Sequence, residues 1–195
     1  MLMKLVSIVS DILNEQIATA FATSQALKPQ DKPKQGGQYQ PGQGPIMYSN
    51  RAVELIKKFE KFVDKTYLCS AGKKTIGYGT RLDYHPEIKK NVCITEPKAT
   101  ELLRKDLDTL VTPVIKKNIK VKLKQNQIDA LYSLIHNIGM DNFINSNVLK
   151  LINLRRFTKM KKDWQEFQMG GGQVLKGLVR RRQEELALFF SKSVG

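Results

Sequence analysis

The sequence predicts an α+β domain that is mostly helical and contains one small β-hairpin. Two observations support this prediction. Apolar residues recur at helical spacing through most of residues 48–190, and β-branched or aromatic runs flank a turn-like segment only near the start of that region. The chain has 195 residues, enough for one such domain with an N-terminal extension.

The N-terminal extension has two parts that differ in composition. Residues 1–27 show an apolar stripe at helical spacing, whereas residues 28–45 are rich in Pro, Gly and Gln and predict a linker. A tethered helix leaves its apolar stripe exposed unless it meets a partner, so we expect a docking helix or anchor there. Asp11 and Glu15 interrupt the apolar run, so a cleavable signal peptide is not expected.

The domain itself, residues 46–195, begins with a helix and the hairpin. Ser49 is a suitable N-cap for a helix that extends past Phe59. Residues 66–69 and 75–79 predict the two strands, separated by the turn-like residues 70–74. The remainder is helical, with Gly139 expected to end a central helix and a break expected at the three consecutive glycines. The predicted helices span residues 96–112, 125–137, 146–154, 157–168 and 178–190.

The formal net charge of +15 indicates a polyanionic partner, because clustered positive charge attracts anions. Nucleic acid, anionic lipid and the acidic bacterial wall all satisfy that condition. No nucleic-acid recognition motif is present, so no nucleic-acid partner is expected. The triplet Arg180-Arg181-Arg182 precedes Glu184 and Glu185 on one helix, a pattern that favours salt bridges.

Glu60 is the first candidate catalytic residue. It lies near the C-terminal end of its helix and between Phe59 and Phe62. The helix dipole and an apolar environment both raise a carboxyl pKa, as a general acid requires. Three neighbouring lysines act in the opposite direction, so the net direction stays open. On these grounds alone, a surface glutamate that balances the lysines is the preferred interpretation.

Spacing strengthens the catalytic interpretation. Eight residues separate Glu60 from Cys69, and five more separate Cys69 from Thr75, within FEKFVDKTYLCSAGKKTIGYGT. This segment closely resembles the catalytic segment of phage-type lysozymes, glycoside hydrolase family 24, in the subset with Cys in place of the catalytic Asp. QNQIDALYSLIHNIG and GLVRRRQEELALF resemble the family's central and C-terminal helices. The resemblance covers about residues 48–190.

The resemblance implies a lysozyme-like fold and a muramidase that cleaves the β-1,4 bond between N-acetylmuramic acid and N-acetylglucosamine. Glu60 would protonate the leaving oxygen. Cys69 would position or activate the attacking water from the opposite face, and Thr75 would hold that water. An inverting mechanism, with the two groups roughly 6.5–9.5 Å apart, is also what the family implies.

The same resemblance gives four substrate-binding candidates: Tyr78, Gly79, Asn137 and Gly139. Peptidoglycan is the expected partner, and neither a cofactor nor a metal is expected, since His85 and His136 are too isolated for a metal site. A phage origin is expected, with action in the host periplasm or wall. The N-terminal segments favour a phage tail or membrane attachment over a free endolysin.

Two departures from the family leave alternatives open. A thiol has an ordinary pKa of about 8.5, so Cys69 is a weaker base than Asp, and a small buried hydrophobe is its alternative role. Thr80 stands where many relatives have His, which we interpret as a change in local stability. A lysozyme-like module that binds the wall without cleaving it is therefore the alternative function. Cys93 is expected to be a buried thiol, and a disulfide with Cys69 would switch the enzyme off.

Overall fold

The computed structural model describes residues 47–69, 72–88 and 92–192, a mostly helical body with a three-stranded antiparallel sheet. The expected docking helix and linker, residues 1–27 and 28–45, lie outside the described residues. None of the helices in the described ranges is both long and apolar enough to cross a membrane.

The secondary structure follows the predicted order. The helices are α1 (Asn50–Phe59), α2 (Glu96–Asp106), α3 (Thr112–Asn118), α4 (Gln125–Ile138), α5 (Met140–Ile144), α6 (Asn147–Asn153), α7 (Phe157–Glu166) and α8 (Lys176–Phe190). The strands are β1 (Val63–Leu68), β2 (Lys74–Gly77), β3 (Thr80–Arg81), β4 (Met169–Gly170) and β5 (Gln173–Val174). A 3₁₀ turn (Leu82–Tyr84) follows β3, and a π-helical segment (Leu107–Val111) joins α2 to α3.

Helix α1 begins at the predicted cap. The Ser49 hydroxyl oxygen accepts a hydrogen bond from the Arg51 amide at 3.1 Å, and Ser49 itself donates from its amide and hydroxyl to the buried Asp129 on α4. The helix ends at Phe59, and Glu60 leaves it with extended backbone angles (φ −93°, ψ 114°). The position of Glu60 at the helix end is therefore confirmed.

The hairpin lies directly after Glu60. Strand β1 pairs with β2 in antiparallel register, with Tyr67 opposite Thr75, and it begins at Val63, three residues before the predicted start. Gly77 ends β2 with φ +66°, and a Cβ there would lie 2.9 Å from the Ala99 Cβ. Glycine at this position lets the sheet approach α2 closely.

The core forms around α4, which packs against α1 and α8. Gly139 ends α4 with φ +85°, as predicted. The largest fully buried side chains are Trp164, Arg182, Tyr132, Phe143 and Phe189. The body is thus organised by one amphipathic helix that supplies residues to both the core and the site described below.

Three features differ from the sequence prediction because each lacks a strong local signal. Strand β3 has two residues, as do β4 and β5, so none shows the alternation that identifies a longer strand. The glycine break is a small hairpin, with Gly171 and Gly172 at positive φ. The predicted helix 96–112 is interrupted by the π-helical segment, and helical structure continues to Asn118.

Candidate active site

Glu60 is bonded to an arginine from the far end of the sequence. Arg181 Nη1, on α8, donates to Glu60 Oε1 at 2.5 Å. The Arg181 side chain is 3% exposed and the Glu60 side chain 26% exposed. The carboxylate therefore lies at the surface of the body, with one side open and the other held by a buried cation.

A buried carboxylate holds Arg181 in place. Glu185, one turn later on α8, accepts hydrogen bonds from Arg181 Nε at 3.2 Å, from the Ser133 hydroxyl at 2.7 Å and from Trp164 Nε1 at 3.0 Å. It also pairs with Arg182, and its side chain has no exposed surface. The expected salt bridges of the arginine triplet are thereby confirmed for Arg181 and Arg182. Breaking such a buried network is strongly destabilising, so the position of Arg181 is well fixed.

His136 is a site residue that the sequence interpretation missed. Its Nδ1 lies 3.7 Å from Glu60 Oε1, within ion-pair range, and its side chain is 12% exposed. Sequence reasoning considered His136 only as a metal ligand and found it too isolated. Ser133, one turn earlier on α4, accepts from Arg181 at 3.3 Å through its carbonyl, a long-range contact that no local pattern indicates.

These contacts decide the protonation of Glu60 in the free protein. Burial raises the pKa of its carboxyl, but His136 and Arg181 together outweigh burial and lower the pKa from 4.5 to about 2. The direction that the sequence left open is therefore downward. Before substrate binds, Glu60 is an anion at neutral pH.

Cys69 and Thr75 lie on the two arms of the hairpin. The Cys69 amide donates to the Lys73 carbonyl at 3.0 Å, and Cys69 is half-buried. Thr75 is 2% exposed, and its hydroxyl donates to the same Lys73 carbonyl at 3.0 Å. Both candidate residues are thus fixed relative to one backbone carbonyl. Since its hydrogen is directed to that carbonyl, the Thr75 hydroxyl oxygen keeps acceptor capacity for another partner.

Tyr67 links the two halves of the site. It lies on β1 opposite Thr75, and its side chain interacts electrostatically with both Glu60 and Cys69. Burial, followed by these two groups, raises the pKa of the Tyr67 hydroxyl. Tyr67 therefore lies within electrostatic range of both Glu60 and Cys69. Sequence reasoning passed over Tyr67 because aromatic residues are common in strands.

Arg81 supplies a cation near Cys69. Burial lowers the pKa of the Arg81 guanidinium, but Asp83, Tyr84 and Cys69 raise it, with Asp83 Oδ2 at 2.7 Å. Arg81 and Cys69 therefore interact electrostatically.

Two of the substrate-binding candidates follow β2. The Tyr78 side chain is buried, and its hydroxyl donates to Glu96 Oε1 at 2.5 Å. Its ring packs against Phe62, with centroids 5.7 Å apart. Gly79 has φ +90°, and a Cβ there would lie 3.6 Å from His136 Cε1. Gly79 therefore lies beside His136, the residue that contacts Glu60, whereas the Tyr78 side chain is directed into the body.

The other two candidates lie at the end of α4. Asn137 is half-buried, and its Oδ1 accepts from Arg182 Nη2 at 2.8 Å. Gly139 is half-buried, and no atom lies within 4 Å of the place where a Cβ would be. Asn137 thus adjoins the arginine network behind Glu60, and Gly139 leaves open space at the helix end.

Thr80 takes part in a buried polar cluster under the sheet. Its hydroxyl donates to Asp106 Oδ2 at 2.8 Å, and His85 Nε2 lies 2.6 Å from Asp106 Oδ1. His85 Nδ1 also lies 3.1 Å from Glu87 Oε1. The buried carboxylate of Asp106 therefore has a hydrogen-bonded histidine even though Thr80 occupies the family's usual histidine position. In the described ranges, no group of three or more His, Cys, Asp or Glu residues could hold a metal ion.

Cys93 is exposed, and the expectation of a buried thiol was wrong. It forms an isolated antiparallel bridge with Lys65 on the outer edge of β1. Cys69 follows Lys65 by four positions, which in a strand corresponds to about 13 Å. Two cysteines form a disulfide only when their Cα atoms are within about 7 Å, so this arrangement does not allow the Cys69–Cys93 switch.

Glu60 lies at a helix end, beside a small hairpin sheet that carries Cys69 and Thr75, and both are parts of a helical body. This arrangement is that of a glycoside hydrolase of the lysozyme class. Residues 57–185 match the model of the phage lysozyme family. The chain belongs to this family.

Similar proteins agree with the assignment. An endolysin of Acyrthosiphon pisum secondary endosymbiont phage 1 is 37% identical over 147 residues, covering 73% of this chain and 97% of that protein. An endolysin of Bacillus phage PZA is also 37% identical, but the chain spans only 56% of its length. The muramidase domain of SpmX from Asticcacaulis excentricus superposes with a TM-score of 0.67 at 33% identity, over 75% of this chain and 99% of that domain. The chain is a phage-type muramidase, and peptidoglycan is its substrate.

Proposed function

We propose that Glu60 is the general acid of the muramidase reaction, that Cys69 is the base and that Thr75 orients the attacking water. The contact that best supports this is the bond between Arg181 and Glu60, because it fixes a partly exposed carboxylate at the end of α1, just before the hairpin. The proton on Glu60 would move to the glycosidic oxygen as the bond to the anomeric carbon breaks. Water would attack that carbon from the opposite face and give its proton to Cys69.

The ionised Glu60 of the free protein must gain a proton before cleavage. Bound glycan would exclude water from the exposed side of its carboxylate, and burial is the influence that raises its pKa. Thr75 would act as a hydrogen-bond acceptor for the water, since its own hydrogen is engaged by Lys73.

The test is cleavage of purified peptidoglycan by four proteins, with mass spectrometry of the fragments. We expect Glu60→Gln to lower kcat by about 10²- to 10⁴-fold, the range typical for loss of a general acid. Cys69→Ser is expected to be impaired, while Cys93→Ser, the matched control at the exposed thiol, should retain full activity. Equal activity of the Cys69 and Cys93 variants would contradict the assigned role of Cys69. Full activity of folded Glu60→Gln would contradict the role of Glu60.

The place at which the enzyme is attached is a separate part of the proposal. Residues 1–27 would dock on a phage tail or a membrane surface, with residues 28–45 as a tether, which the apolar stripe and the linker composition support. Deleting residues 1–45 should release the protein from its particle or membrane and leave its activity in solution unchanged. Unchanged location after the deletion would rule out tethering.

A further inference from the structure

Much of the positive charge lies in two segments that contain no acidic residue. Residues 116–124 contain five lysines, and residues 150–162 contain six lysines and arginines. Among the described residues, none of these eleven cations forms a salt bridge, whereas those on other elements often do. Cations at this density that form no salt bridge repel one another, so binding of an anionic partner would lower their electrostatic free energy.

One side chain joins the two segments. Asn153, at the end of α6, accepts from the Lys120 amide at 2.8 Å and donates to the Asn118 carbonyl at 2.9 Å. The chain after α3 is thereby fixed beside the end of α6. Lys150 lies one turn before Asn153 on the same side of that helix. We call five exposed residues here the basic face: Lys117, Lys120, Lys150, Arg155 and Arg156.

Arg155 occupies a backbone position that favours glycine. It has φ +54°, the only positive φ outside glycine among the described residues. The Arg155 amide bonds to the Ile152 carbonyl at 2.9 Å and the Arg156 amide to the Leu151 carbonyl at 2.8 Å. This pattern is a Schellman motif, whose left-handed residue is usually Gly. The chain thus has an exposed cation where a residue without a side chain would fit with less strain.

The basic face is separate from the site around Glu60. The site is formed by the end of α1, the β1–β2 hairpin, α4 and α8, and the basic face lies on α3, the following loop and the end of α6. We infer that the basic face binds the phosphate-rich polymer chains of the bacterial wall while the site around Glu60 engages the glycan. Arginine and lysine suit phosphate oxygens, and in many bacteria such polymers are attached to the peptidoglycan.

Wall polymer fits this face better than nucleic acid does. Proteins that bind single strands interleave basic residues with exposed aromatic rings on which bases stack. Among residues 116–124 and 150–162 the aromatic ring is Phe157, and it packs edge-on against Phe189 in the core. The exposed ring near these segments is Phe190, and Lys161 Nζ already lies 4.2 Å from its centroid. A flexible polyol phosphate needs only the cations.

The test uses wild type and two variants of equal net charge, +11 in place of +15. The basic-face variant combines K117Q, K120Q, K150Q and R156Q. The matched control removes four exposed cations on other elements and combines R51Q, K98Q, K176Q and K192Q. The probe is purified poly(glycerol phosphate), titrated at two salt concentrations, with a DNA duplex of equal phosphate content as competitor. Cleavage of phosphate-stripped walls is measured separately, so failure of the muramidase assignment is distinguishable from failure of this inference.

We expect the basic-face variant to bind the polymer at least about tenfold more weakly at low salt, with a shallower salt dependence, because it releases fewer counterions. The control should stay within about threefold of wild type, and all three should cleave stripped walls equally, which also shows that they are folded. Equal weakening of both variants would mean that diffuse charge is responsible. No binding by wild type, or tighter binding of DNA through the same four residues, would also overturn the inference.

Discussion

Protonation of Glu60 is expected to control stability in acid. Its pKa falls from 4.5 to about 2 in the folded protein because Arg181 and His136 outweigh the opposing effect of burial. This difference corresponds to about 3 kcal/mol between the two protonation states. Since the folded pKa is depressed, the stabilisation is present above pH 4.5 and is lost as the pH falls toward 2. The stability of wild type relative to Glu60→Gln should therefore decline by about 3 kcal/mol from pH 7 to pH 2.

Urea unfolding of both proteins at intervals of half a pH unit measures this difference. Subtracting one free energy of unfolding from the other cancels the contributions of the carboxylates that the two proteins share. The remaining pH dependence therefore belongs to residue 60. Arg181→Gln should weaken the dependence without abolishing it, because it removes the cation 2.5 Å from the carboxylate but leaves His136, which also lowers the pKa of Glu60. A difference between wild type and Glu60→Gln that stays constant within about 1 kcal/mol across this range would refute the reasoning.

Three further predictions concern residues outside the proposed acid and base. His136→Gln should shift the Glu60 limb of the kcat/KM profile to higher pH, because His136 lowers the pKa of that carboxyl; an unchanged profile would show that the 3.7 Å contact has no influence in solution. Burial lowers the pKa of His85, but Asp106 and Glu87 raise it overall, so its stabilisation is complete below pH 6.5 and is lost as the pH rises. Thermal unfolding should show this loss in wild type and not in His85→Gln, and parallel curves would argue against it. Arg155→Gly should raise the free energy of unfolding by about 0.5–1 kcal/mol, because glycine adopts the left-handed backbone conformation with less strain. A variant that is less stable than wild type in urea unfolding would show that Arg155 is not strained.

The sequence predicted what local signals determine. Ser49 begins its helix as a capping residue, and Gly139 ends one, because each effect depends on a few neighbouring residues. The position of Glu60 at a helix end and the pairing of Cys69 and Thr75 with the hairpin were predicted in the same way.

Long-range contacts were not predictable from one sequence. The bond between Arg181 and Glu60 joins residues 121 positions apart, and nothing near either residue indicates it. The pKa of Glu60 depends on that bond, so its direction stayed open until the fold was known. The exposure of Cys93 depends similarly on its bridge to Lys65 across a loop. Apolar neighbours in the sequence suggested burial, but strand pairing placed the residue on the outside.

The buried carboxylate of Glu185 also has a consequence for synthesis of the chain. Glu60 emerges from the ribosome early, but the arginine that holds it and the glutamate that holds the arginine are on the last helix. A chain that ends before α8 lacks the complete ion pair, so its catalytic carboxylate is not held in position. The network that holds the catalytic carboxylate can therefore form only once α8 has been synthesised.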